Sequence, residues 1–447
     1  MTNLMDPSRP RKSLFDRIFD AFAVVMSPLM GVRWNLELFT VIYPVEAIQR
    51  LWYHLDRRIY REAWRLRRVS DGQPEKPGKK FLLFVLYARN AIPPFTRTLL
   101  EAAARSDINL VISTNATMSP ALRTELLGFC QLLVERADLG RDFGGYKDGI
   151  SIIERRFGRP ERLILLNDSL YYFDRDLDGF LEKLSGPDDL ICMTEVFEYH
   201  YHLGSFALSF GPAVLGSARF RRYWQRYLPI STRRWAIHKG EVGLTRMLIR
   251  AGFRPRVLYH AAQLIPHLDH QETRAFLESI RLLPREFRER LFSEFEEVHV
   301  AQTDRSLQAI GTLSKAIRRI EAGTDPASRD LKLANVRELL EMNHLTATTQ
   351  LDRETWVLRT LRHRLVSAIS RRNQMHAGGF LFMRLLGMPA IKRDICFREL
   401  FQVAEVEEFL DQLGEPMREV VASDLRQKGS QAYLSGFARL LAKHGSI

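Results

Sequence analysis

"CQLLVERADLGRDFGGYKDGI" (residues 130–150) is the stretch on which the fold turns. It starts as a short apolar run, "CQLLVE", with the length and content of a buried strand. Four glycines and six charged residues then crowd into Arg136–Ile150. An ordinary connection needs one or two turn residues to change direction. Here Arg141, Asp142, Lys147 and Asp148 surround Gly144 and Gly145, a pair that lets backbone come close to something. Beyond the pair, Ile150, Ile153 and Phe157 recur at helical spacing. The stretch reads as strand, special loop, helix. The N–H groups at such a helix start attract phosphate or carboxylate.

The same alternation extends outward. Upstream lie "FLLFVLY" (residues 81–87), a helix opened by Pro93 and Pro94, and "NLVIST". Downstream come "RLILLND" (162–168), "DLICMTE" and "SFALSF". Short connections between strands and helices predict an α/β fold, a mostly parallel sheet with helices on both faces. Ligands of such sheets sit at the carboxyl ends of the strands. Both "GRDFGGYKDG" and "NDS" fall at that edge.

The chain has 447 residues, 46% apolar and 27% charged, with a net charge of +13. That size predicts several domains. The charge favours an acidic partner, such as anionic lipid or a phosphorylated ligand. No RRM, KH or zinc-finger pattern accompanies it, so nucleic acid is not expected as a partner. Three scattered cysteines argue for a reducing, cytoplasmic setting without disulfides or zinc. The early apolar run "AFAVVMSPLMGV" is short and broken by Pro28, so no spanning helix is expected.

Residues 1–78 read as amphipathic basic helices and a linker. Leu14, Phe15, Ile18, Phe19 and Phe22 form one stripe, and Val45, Ile48, Trp52, Leu55 and Ile59 another. Arg50, Arg57, Arg58, Arg61 and Arg65 accompany the second. A tryptophan-bearing apolar stripe beside arginines suits attachment to an anionic membrane surface, although a helix packed on its own domain is the commoner case. Attachment would make the protein peripheral on the inner face of the cytoplasmic membrane. "SDGQPEKPGKK" (70–80) reads as the linker. Residues 79–265 form the sheet domain, 266–370 a helical insertion, and 371–447 a helical segment that completes the site.

Two motifs carry chemistry. In the first, Arg141 and Lys147 offer cationic donors, while Asp142 and Asp148 could accept from sugar or ribose hydroxyls. In the second, Asn167, Asp168 and Ser169 end a strand with hard oxygen ligands. Asp168 could hold Mg or Mn between itself and substrate phosphates. "DRDLDGFLEKLS" imitates half of a calcium loop but has Ser185 where the bidentate Glu belongs. There is no GxSxG, HExxH or GxGxxG.

The pieces "GRDFGGYKDG", "LILLNDSLYY", "HLGSFALSFGPAVLGSARFRRYW", "EVGLTRMLIRAGFRP" and "GMPAIKRDI" together resemble the rhamnan synthesis protein F family of bacterial polysaccharide glycosyltransferases. The resemblance covers about Phe81–His260 and returns at Asn373–Ile395. It implies a GT-A type sheet, a nucleotide-sugar donor and a glycan or lipid-linked glycan acceptor. It places Glu241 as the base of an inverting transfer and Asp168 at the metal and diphosphate. Arg141, Asp142, Gly144, Gly145, Lys147, Asp148 and Asn167 would complete the donor site. Glu195, His202, Asn373, His376 and Lys392 would serve the acceptor or a second tier. Rhamnose is the sugar that the family suggests. The Asp-x-Asp pattern common in such folds is absent. That absence supports the other reading, a non-catalytic scaffold that binds a membrane or a partner. Without the resemblance, Glu241 reads as an acid in the first turn of a helix.

Overall fold

A computed structural model describes residues 43–55, 61–198, 200–289 and 350–396, with 400, 401, 405, 406, 408, 409 and 419. The "SLFDRIFDAF" stripe, Arg57, Arg58, Ile59 and most of the helical stretch 271–370 lie outside them.

Eight strands form the main sheet in the order β1-β4-β3-β2-β5-β10-β7-β11. They are β1 (Leu66–Asp71), β2 (Lys80–Leu86), β3 (Asn109–Thr114), β4 (Leu132–Arg136), β5 (Arg162–Asn167), β7 (Leu190–Cys192), β10 (Ala207–Phe210) and β11 (Arg256–Val257). The centre, β4-β3-β2-β5, is parallel, and so is β7-β11. β1 and β10 run antiparallel to their neighbours. The architecture is α/β with a mostly parallel sheet, consistent with a GT-A-like fold. Two further ribbons pair β6 (Leu170–Tyr172) with β12 (Ala390–Lys392), and β8 (Glu195–Val196) with β9 (His202–Leu203).

Side chains alternate across each strand, so the sheet divides the core in two. Leu82, Phe84, Leu86, Ile112, Ile164 and Leu166 face the helices Pro94–Arg105, Gln350–Ser370 and Gln374–Leu386. Phe81, Leu83, Val85, Val111, Leu163 and Leu165 face the helices Arg141–Phe157, Ala218–Arg226 and Val242–Arg250.

Two expectations change. The linker begins only at Gly72, because Leu66–Asp71 add an edge strand against β4. Gly144 and Gly145 are not in a loop, because the helix already begins at Arg141. The strained turn lies one step earlier, with Gly140 at φ 76° and Arg141 at φ 51°. A Cβ on Gly145 would stand 2.8 Å from a Val85 methyl, and one on Gly149 2.5 Å from Leu83. These glycines let the helix lie close against β2. The close approach read from the sequence is to the protein's own sheet.

Candidate functional site

β2 and β5 end side by side, and the site is built where they stop. The Tyr87 N–H, just past β2, donates to Asp168 Oδ2 at 2.8 Å. Asn167 Nδ2, at the end of β5, donates to Asp142 Oδ2 at 2.9 Å. Asp142 is in the first turn of the Arg141–Phe157 helix. Two carboxylates are thus held at one sheet edge. Burial, and after it the Asp142 charge, push the Asp168 carboxyl up to about 6, although Arg393 and backbone N–H donors oppose this.

The opposing positive charge comes from far along the chain. β12 pairs with β6, setting Lys392 opposite Leu170. Lys392 Nζ donates to Ser169 Oγ at 2.9 Å and lies 4.5 Å from the centre of the Phe206 ring. Arg393 donates to the Asp168 carbonyl at 3.2 Å, and its guanidinium lies over Phe95 and Tyr171. The edge therefore holds acidic and basic side chains near one another.

Glu241 lies deeper in the chain's helical run than the sequence suggests. Arg233–Trp235, a π-helical segment Ala236–Glu241 and Val242–Arg250 follow one another without a break. Glu241 is therefore not a first-turn acid. A π segment widens the helix by one residue and often marks a functional position. Ser205 Oγ donates to Glu241 Oε1 at 2.5 Å, and His202 Nε2 stands 3.6 Å from Oε2. His202 Nδ1 lies 2.8 Å from the His200 carbonyl, so it carries the proton there. Nε2 is left facing the Glu241 carboxylate.

Tyr146 joins the two halves of the site. Its hydroxyl donates to the Ser205 carbonyl at 3.1 Å. Burial raises its pKa well above the ordinary value, and the charges of Asp142, Asp168 and Glu241 raise it further. One buried phenol thus senses all three carboxylates.

Other expected residues have different tasks. Asp148 is enclosed and bonded by Arg65 at 2.5 Å and Arg136 at 2.8 Å. Lys147 Nζ donates to the carbonyls of Trp224, Gln225 and Tyr227. Gly145 serves packing, as described, and a Cβ on Gly144 would run into the Leu139 carbonyl. Glu195 accepts from Tyr201 and Gln374. Asn373 caps the Gln374–Leu386 helix. His376 Nε2 lies 2.8 Å from Asp394 Oδ1. Arg393, Asp394, Ser205, Tyr146 and Tyr87 were not singled out by sequence, although Arg393 and Asp394 stand in "GMPAIKRDI" and Ser205 in "HLGSFALSF".

Among the described residues, no group of three or more His, Cys, Asp and Glu side chains could hold a metal ion. Asp168 and Asp142 are hard oxygen donors and suit Mg or Mn only if a ligand brings further oxygens.

The carboxyl edge of a mostly parallel sheet, here lined by acidic and basic side chains, is where α/β proteins bind small molecules. Residues 110–280 match the family described as Rhamnan synthesis protein F. Over 211 residues the chain is 28% identical to y4gN, an uncharacterized protein of Sinorhizobium fredii. That match takes in 46% of this chain and 55% of the relative, so the chain spans about half the length of the curated relative it matches. The family match includes Arg141, Asp142, Asp168, His202, Ser205 and Glu241, while Lys392 and Arg393 lie beyond it.

Proposed function

We propose that the protein transfers a sugar from a nucleotide-sugar donor to a hydroxyl of a growing surface polysaccharide or lipid-linked glycan. The family description supports a role in polysaccharide biosynthesis, with rhamnose as the sugar it suggests. The observation that carries the reading is a pair of held carboxylates, Asp168 on the Tyr87 N–H and Asp142 on Asn167, with Glu241 held by Ser205 beside His202 and Tyr146 bonded to the Ser205 carbonyl.

Glu241 accepts the proton of the acceptor hydroxyl as its oxygen attacks the anomeric carbon. The new C–O bond forms while the bond to the diphosphate breaks, with inversion. Ser205 holds the carboxylate, and His202 stands beside it to share the proton. Lys392 and Arg393, beside Ser169 and Asp168, would offer positive charge to the leaving diphosphate. Asp168 and Asp142 would hold Mg or Mn, which would supply further positive charge on the leaving group.

Glu241→Gln keeps the size and removes the base. Turnover should fall about 10²–10⁴-fold, with donor affinity and melting temperature nearly unchanged. Transfer at the parental rate would move the base elsewhere. A thermal-shift panel of nucleoside diphosphates, with and without Mg or Mn, would identify the donor's base. A scaffold would be stabilised by none of them.

A further inference from the structure

We propose that the Tyr43–Leu55 helix is a membrane-docking element whose outer face enters the surface of an anionic bilayer. The helix has two opposite faces. Glu46 accepts from Thr232 and Arg234, Tyr53 donates to the Pro229 carbonyl, and Arg50 lies over the Trp235 ring. At roughly 100° per residue these three positions fall on one side of the helix. Ile48, Leu51, Trp52 and Leu55 fall on the other, spaced i, i+3, i+4, i+7. They are 65%, 60%, 62% and 74% exposed. The polar face is the anchored one, and the apolar face is turned to solvent.

This inverts the usual order for a surface helix, in which the apolar stripe faces the core. It is also concentrated. Of the ten large apolar side chains exposed among the described residues, seven lie between Tyr43 and Val69.

Charge decides the occupant. Arg61, Arg67 and Arg68 are exposed a little further along the chain. Residues 1–42 carry five basic and four acidic side chains, so they bring no net negative charge to match these arginines. A second copy packed face to face would bring the same arginines into apposition. Anionic lipid supplies both partners: hydrocarbon for the stripe and phosphate for the arginines. The anchored face grips residues 229–235, and Ser231 Oγ accepts from the Gly140 N–H beside Arg141. Docking there would hold the bilayer near the first turn of the site helix.

The test uses the full chain with vesicles rich in phosphatidylglycerol and with neutral phosphatidylcholine vesicles. The protein should sediment with the anionic vesicles only, less so as salt rises from about 0.1 to about 0.5 M. Leu51→Ser with Trp52→Ser should weaken that binding on the order of tenfold or more, with melting temperature and sedimentation coefficient unchanged. Ile48→Ser with Leu55→Ser repeats the test on the same face should the first pair misfold. Absence of vesicle binding by the parent overturns the proposal, and so does parental binding by both variants. A parent dimer that the variants dissolve would assign the face to a second copy. A fall of several degrees in melting temperature in both variants would assign it to a cover from the chain itself.

Discussion

Asp142 and Asp148 stand six residues apart on one helix, and their surroundings are opposite. Asp148 is fully enclosed between the guanidinium groups of Arg65 and Arg136. Asp142 is held by the neutral Asn167 amide and raises the proton affinity of another carboxylate, Asp168. In the first place opposite charges meet and the charge serves the fold. In the second, like charges are held at a sheet edge, a strain that a cation or a hydroxyl-rich ligand relieves. A sequence shows two aspartates in one motif. Only their partners tell the structural one from the candidate functional one.

The same isosteric change at the two kinds of site should therefore give opposite results. Asp148→Asn removes the carboxylate held between two buried arginines, and should cost about 3–5 kcal/mol of stability in denaturant titrations. A loss below about 1 kcal/mol would mean that water or another group reaches the arginines and that the contrast is overstated. Asp168→Asn removes one of two like charges. In the presence of a chelator its melting temperature should equal or exceed the parent's, while nucleotide affinity with Mg or Mn falls about tenfold or more. A variant several degrees less stable than the parent would place Asp168 with Asp148 among the structural acids.

Much of the scaffold was legible, for a physical reason. Runs such as Phe81–Leu86 and Leu163–Leu166 are buried on both faces, and only central strands of a covered sheet need uninterrupted apolar residues. The edge strand β1 was missed because "LRRVSD" is largely exposed and looks like any polar segment. The pairing of "GRDFGGYKDG" with "NDS" at one edge followed from the strand order. The assignment of donors within that motif did not, since it depends on partners distant in sequence. Arg65 reaches Asp148 across 83 residues, and Lys392 reaches Ser169 across 223. Periodicity reports which side of an element is buried and says nothing of what covers it. The π segment was invisible too, because the residues from Ala236 to Glu241 carry no pattern that departs from an ordinary helix.

Lys147 sharpens the comparison from the basic side. Burial lowers its pKa to about 8, yet its three carbonyl acceptors call for three ammonium protons, so it is charged at neutral pH. Those carbonyls close the Ala218–Arg226 helix, where acceptors otherwise lack partners. Lys147→Met should cost about 1–2 kcal/mol of stability and leave nucleotide affinity unchanged. Loss of affinity without loss of stability would return Lys147 to the donor site.

An effect of similar size, but dependent on pH, is expected at Asp394, which stands between the two kinds of acid. Burial works to raise its carboxyl, but the hydrogen bond and charge of His376, with Lys392 and Arg233, hold it down at about 2. A carboxyl whose folded value lies below its ordinary 3.8 stabilises the fold where the unfolded chain is already ionised. The contribution is therefore complete above about pH 4 and disappears as the pH falls through about 2. Asp394→Asn should melt below the parent at about pH 5 by the equivalent of about 1–2 kcal/mol, and the gap should close as both are acidified. The pairing also fixes the segment that carries Lys392 and Arg393, so the variant should weaken nucleotide binding only slightly. A gap that persists unchanged at about pH 2 would show that Asp394 acts by its shape and hydrogen bonds alone. No gap at about pH 5 would show that His376 holds that segment without it.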